Sequence, residues 1–106
     1  MSEINKSYLS EQVQRTLRVI TIMAGNEVNG ISPGEIAKIA KTSAANITRI
    51  LANLQQAGFA EPLPADKTRF RLAPPLVQLA NTVAMNFRQH QQQIQQEAHN
   101  YGLLAI

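Results

Sequence analysis

Cysteine is missing altogether from this chain of 106 residues, so disulfides, thiolate zinc sites and thiol nucleophiles are excluded together. Acid is scarce as well. Asp66 is the single aspartate, the glutamates are scattered, and no Gly-rich phosphate loop exists. No nucleophile, base and orienting partner can be nominated together, so neither enzyme chemistry nor a cofactor is expected. His90 and His99 have no acidic cluster near them, which leaves no metal site to expect. Aromatic residues make up 5% of the chain, too few for the interleaved stacking platforms of single-stranded nucleic-acid binders. No run of about 18 uncharged apolar residues is available to cross a bilayer. The opening MSEINKSYLSEQVQ lacks the apolar stretch of a secretory signal. The expectation is a soluble, cytoplasmic protein with no membrane partner.

What is present suffices for one core. Apolar residues make up 44% of the chain, an ordinary globular share at a length that holds one domain and an extension. Net charge is +3, which alone says little. Its distribution says more. Between positions 38 and 71, Lys38, Lys41, Arg49, Lys67, Arg69 and Arg71 face only Glu61 and Asp66, a net of +4 against −1 elsewhere. A basic middle is the footprint that a phosphate backbone attracts. A solvated face that contacts nothing would look the same on charge alone.

Periodicity supplies the elements. Val13, Leu17, Ile20 and Ala24 recur at helical spacing, widened by Val19, Ile22 and Met23, and predict a helix over 9–23 behind a Ser10 cap. GNEVNG, residues 25–30, ends it. Ser32, Pro33 and Glu35 form a helix start with a capping box. In the short helix that follows, Ile36, Ala37, Ile39 and Ala40 are expected to pack. Thr42 or Ser43 caps a third helix over 43–57 that buries Ile47, Ile50, Leu51 and Leu54 and stops at Gly58. At 100° per residue, Ala45, Thr48, Arg49, Ala52 and Gln56 point away from that stripe, with Asn46 and Asn53 on its flank. Residues 59–72 read as two short strands joined by a polar turn, PADK, with Pro62 limiting the first strand to a short or edge position. From Leu76 a polar, glutamine-rich helix carries Leu76, Ala80, Val83, Phe87, His90, Ile94 and Tyr101 close to the period of a coiled-coil seam.

Helix, short helix, turn, helix, basic hairpin is the order of a winged helix-turn-helix. Residues 13–80 resemble the DNA-binding domain of the isocitrate-lyase-regulator (IclR-type) family. The resemblance rests on Arg15 with Leu17, GEIAKIAKTS across the turn, ITRILANLQQAGF in the third helix, and RFRLAP leaving the wing. It implies a mainly α fold, three helices plus a β-hairpin wing, with a DNA-binding domain over 9–75. Residues 76–106 then form a helical extension for dimerisation or partner docking through Leu76, Val83, Phe87, Ile94 and Tyr101. It further implies double-stranded DNA as partner and transcriptional regulation as function, with the third helix in the major groove. Ala44, Ala45, Asn46, Thr48 and Arg49, with Asn53 beside them, would read bases, and Thr42 and Ser43 would hold phosphates. Lys67, Thr68, Arg69 and Arg71 would serve the wing. Family members carry a C-terminal effector-binding domain, whereas this chain ends at Ile106, so no small-molecule effector is expected. The rival reading is a winged helix that assembles with protein and reads no DNA. Ala44-Ala45, where the family is polar or basic, and the apolar tail YGLLAI both suit it.

Overall fold

The computed structural model describes residues 3–103. A short 3₁₀ turn, Lys6–Tyr8, is capped by Asn5 and precedes α1 (Glu11–Met23), α2 (Pro33–Ala40) and α3 (Ala44–Gln56). Strands β1 (Ala60–Pro62) and β2 (Phe70–Leu72) and the long α4 (Pro74–Asn100) follow. The chain divides into two compact units after Leu76. The last three residues of the YGLLAI tail lie outside the described residues, as do the first two of the opening segment.

Local signals set the helix ends in the first unit. Ser10, Ser32 and Ser43 each sit in extended backbone and accept a hydrogen bond from the amide three residues on, at 3.2, 3.2 and 3.1 Å. Pro33 occupies the first turn of α2, where its missing N–H leaves nothing unpaired. α3 ends in a Schellman stop: Phe59 N–H donates to the Leu54 carbonyl, Gly58 N–H to that of Gln55, and Gly58 is left-handed at φ 79°. α2 ends the same way through Thr42 to Ala37 and Lys41 to Lys38, but here the left-handed residue is Lys41, at φ 55°.

The core lies where α1, α2, α3 and the hairpin meet. Ile36, Ile47, Val19 and Met23 are its fully buried centre, with Ile50, Leu51, Leu54, Ala40 and Leu72 around them. Each of these side chains larger than alanine contributes about 1.5–3 kcal/mol relative to exposure. The third-helix stripe is buried as its spacing predicts. Two other expectations fail. In α1 the buried residues are Val19 and Met23, while Val13 and Leu17 are about half exposed (54% and 53%) and Ala24 lies outside the helix. α1 carries apolar residues on more than one face, and the face centred on Val19 and Met23 packs against α2 and β2. In α2 Ile39 is exposed at 54%, because the face through Ile36, Ala40 and Ala37 fills the contact and Ile39 falls about 60° outside its Ile36 edge.

The hairpin pairs Ala60 with Leu72, Glu61 with Arg71 and Pro62 with Phe70, antiparallel. Phe70 also exchanges both backbone hydrogen bonds with Ile31, each 2.9 Å, so the segment before α2 adds one residue to the other side of β2. β1 is therefore an edge strand, the position Pro62 tolerates. At the tip, Asp66 Oδ1 accepts from Thr68 N–H at 3.0 Å and Thr68 Oγ1 at 2.6 Å. Gly30 is left-handed at φ 68°, and a Cβ there would lie 2.8 Å from Leu63 Cδ1.

α4 has 27 residues, about 40 Å at 1.5 Å each, and begins two residues earlier than its pattern suggests. It contains no buried residue. Leu76, at its start, is half-buried and packs on the core of the first unit. Val83, Phe87, Ile94 and Tyr101 are exposed at 56, 72, 65 and 90%. No helix among the described residues is long and apolar enough to cross a membrane.

Candidate nucleic-acid interface

The outward face of α3 holds the candidate reading positions together. Ala44, Ala45, Thr48, Arg49, Ala52 and Asn53 are exposed and Asn46 is half-buried. Their polar groups form a connected line. Asn46 Nδ2 donates to Thr42 Oγ1 at 2.8 Å, and Asn46 Oδ1 accepts from Arg49 Nη1 at 3.3 Å. Asn46 thus steers the guanidinium and ties it to the turn, while leaving Arg49 its remaining donors. Thr48 Oγ1 and Asn53 Nδ2 bond backwards to the carbonyls of Ala44 and Arg49 at 3.0 and 2.9 Å. Ser43 Oγ is committed to its cap. The N-terminal end of the face is otherwise bare alanine, so nothing bulky stands between that helix end and an approaching surface.

The wing candidates separate into two pairs. Lys67 and Thr68 lie exposed at the tip, and Lys67 has no side-chain hydrogen bond or ion pair among the described residues. Arg69 and Arg71 turn inward. Arg69 donates from Nε to the Asn29 carbonyl at 2.9 Å, from Nη2 to the Gly30 carbonyl at 3.1 Å, and from Nη1 to Glu35 Oε1 at 3.1 Å. It binds the wing to the segment entering α2. Arg71 Nε lies 3.5 Å from Glu61 Oε1, a charge contact without hydrogen-bond alignment, which leaves that buried oxygen without a hydrogen bond.

Two carboxylates are held below their usual range. For Glu35 the main cause is the Ser32 hydroxyl bond, with the Arg69 guanidinium adding to it. For Asp66 it is the Thr68 hydroxyl, then the Thr68 amide and the more distant Arg69. Both are structural acids of the wing mount and the wing tip. Among the described residues no three His, Asp or Glu side chains gather as a metal site would require.

Sequence reasoning missed the 3₁₀ turn, the Ile31–Phe70 bridge and the inward turn of Arg69. The last two pair groups about 40 positions apart, and no local pattern signals them.

No model of a known protein family matches this chain, and no curated protein does either. Solved structures do. An IclR transcriptional regulator from Alicyclobacillus acidocaldarius matches with a TM-score of 0.63 at 23% identity, over 73% of this chain and 30% of its own. A putative IclR transcriptional regulator from a Silicibacter species matches at 0.58 and 24%, over 67% and 27%. MepR of S. aureus, in its complex with DNA, matches at 0.55 and 16%, over 82% and 73%. The chain therefore has the winged helix-turn-helix fold, and it spans less than a third of the length of the two IclR regulators.

Proposed function

We propose that this chain binds duplex DNA as an IclR-like transcriptional regulator, with the N-terminal half of α3 in the major groove and the wing tip on the flank. The observation that carries the reading is the Thr42–Asn46–Arg49 line on a helix end otherwise clothed in alanine. Small side chains let a helix lie deep in the groove. Arg49 then suits guanine, Asn46 or Asn53 suits adenine, and the methyls of Ala44 and Ala45 pack on thymine. Thr42, Ser43, Lys67 and Thr68 take phosphates, while Arg69 and Arg71 set the angle of the wing. The likeness to DNA-binding regulators supports the same reading.

A second copy of the chain is the proposed partner. Val83, Phe87 and Ile94 recur along α4, Tyr101 follows just past its end, and all four are exposed among the described residues. A helix this polar gains its stability from a partner rather than from propensity. Two paired chains would place two α3 helices on a palindromic site. The same bare apolar row favours the second reading, a winged helix that assembles with protein alone.

Fluorescence anisotropy with a pool of random-sequence duplexes, across a salt series, separates the two. DNA binding predicts affinity that falls steeply with salt, and a loss of about 1–3 kcal/mol on preferred sites for Arg49→Ala. Absence of binding at low salt sinks the DNA reading and leaves the assembly module.

A further inference from the structure

Beside the reading face lies a second basic feature that the third helix does not account for. A cleft of 570 Å³ runs between α1 and the end of α2, lined by Arg15, Arg18 and Lys41 with Gln14, Thr21 and Glu11. Three cations face one carboxylate. Glu11 lies 3.9 Å from Arg15, and Arg15 also donates to Gln12 Oε1 at 2.9 Å, so that arginine's charge is partly balanced within α1. Arg18 and Lys41 are exposed and make no side-chain hydrogen bond or ion pair among the described residues. The cleft carries two free positive charges and the polar side chains of Gln14 and Thr21.

Its position matters as much as its charge. Lys41 immediately precedes Thr42 and Ser43, so one wall of the cleft ends where α3 begins. Leu17, half exposed, lines this cleft on one side and, on the other, a groove shared with Arg49 and Asn53. The cleft with the two free cations and the groove that reaches Arg49 therefore meet at Leu17. Lys41 also holds a left-handed backbone that glycine would adopt without strain, yet a long cation occupies it.

We infer that this cleft takes a phosphate of the DNA backbone, held between Arg18 and Lys41, next to the groove that α3 enters. The inference rests on the duplex-DNA reading above and adds a grip from α1 and the turn to those of α3 and the wing. A phosphate has the single charge and the acceptor oxygens that a guanidinium and an ammonium can share. Adjacent phosphates along one strand recur about every 3.4 Å of helix axis, so a groove-bound helix end always has one beside it. Such a grip positions the protein and carries no base preference.

The test uses the full chain, the random-sequence duplex pool and two substitutions made together, Arg18→Gln and Lys41→Asn; asparagine tolerates the left-handed backbone. Thermal melts confirm that the exposed changes leave the fold intact. The expected result is weaker binding to every sequence in the pool and a salt slope shallower by about one for each phosphate no longer neutralised. Arg18→Lys should keep the wild-type slope. If the double variant matches wild type in affinity and slope while Arg49→Ala still weakens selected sites, the cleft inference fails and the DNA reading stands. If the wild type itself binds no duplex, both fall. A titration with inorganic phosphate alone, followed by NMR at Arg18 and Lys41, identifies a free-anion site in that case, which also overturns assignment to the DNA backbone.

Discussion

The winged unit and α4 are built on opposite terms. In the first, the apolar residues of three short helices and a hairpin converge on one centre, and the free polar groups lie outside it. In the second, a helix of 27 residues has no buried residue, and past Leu76 its apolar side chains are mostly exposed. The contrast shows that helical periodicity says which residues share a face but not whether anything covers it. The stripe of α3 and the row of α4 have similar spacing, yet Ile47 is sealed and Ile94 is 65% exposed.

The largest expected effect comes from α4. If the proposed pairing through α4 holds, Phe87→Glu together with Ile94→Glu should convert the dimer to a monomer by sedimentation and weaken duplex binding by up to ~10²–10⁴-fold, the gain that linkage of two sites supplies. Unchanged mass and affinity would remove the row from any interface. Next comes the core: Ile47→Ala should cost about 2–5 kcal/mol by chemical denaturation, because neighbours only partly collapse around the gap. A loss under about 0.5 kcal/mol would mean that the α3 stripe is not the centre of the fold. Smaller is the change at the two helix stops. Lys41→Gly should stabilise by about 1 kcal/mol, making the α2 stop equal to that of Gly58. The same change should weaken DNA binding if the ammonium holds a phosphate. A melting temperature that falls instead would show that the left-handed geometry is not relieved.

The smallest effect is one of pH. Glu35 and Asp66 have depressed folded values, so they bind fewer protons folded than unfolded in the acidic range. Their contribution is complete above the unfolded carboxylate range, about pH 4–5, and is lost as pH falls through the folded values. Thermal melts should fall slightly on acidification there, and Glu35→Gln should flatten the trend. An identical slope in that variant would place the acid sensitivity elsewhere.

How much of this was legible in the residues follows from range. Ser32-Pro33-Gly34-Glu35, the Ser43 cap, the Gly58 stop and the Ile47–Leu54 stripe are local signals, and each stands in the structure as its chemistry requires. The outward set of α3 follows from the same periodicity. The burial face of α1 was not legible. Its apolar residues spread around the helix, and only the approach of α2 and β2 selects Val19 and Met23 over Val13 and Leu17. Charge alone placed Arg69 and Arg71 with the other cations. Their acceptors at Asn29, Gly30, Glu35 and Glu61 come near only after folding.

Position 30 bears on how such a protein can diversify. Its left-handed backbone and the Leu63 side chain packed where a Cβ would stand make any other residue there a strained one. From Pro64 to Thr68, by contrast, the side chains are exposed and the bonds are only to near neighbours. A library of tips grafted between Leu63 and Arg69 would therefore vary the wing's reach and chemistry on a fixed mount. Substitutions at position 30 would instead cost stability before any of them was asked to bind.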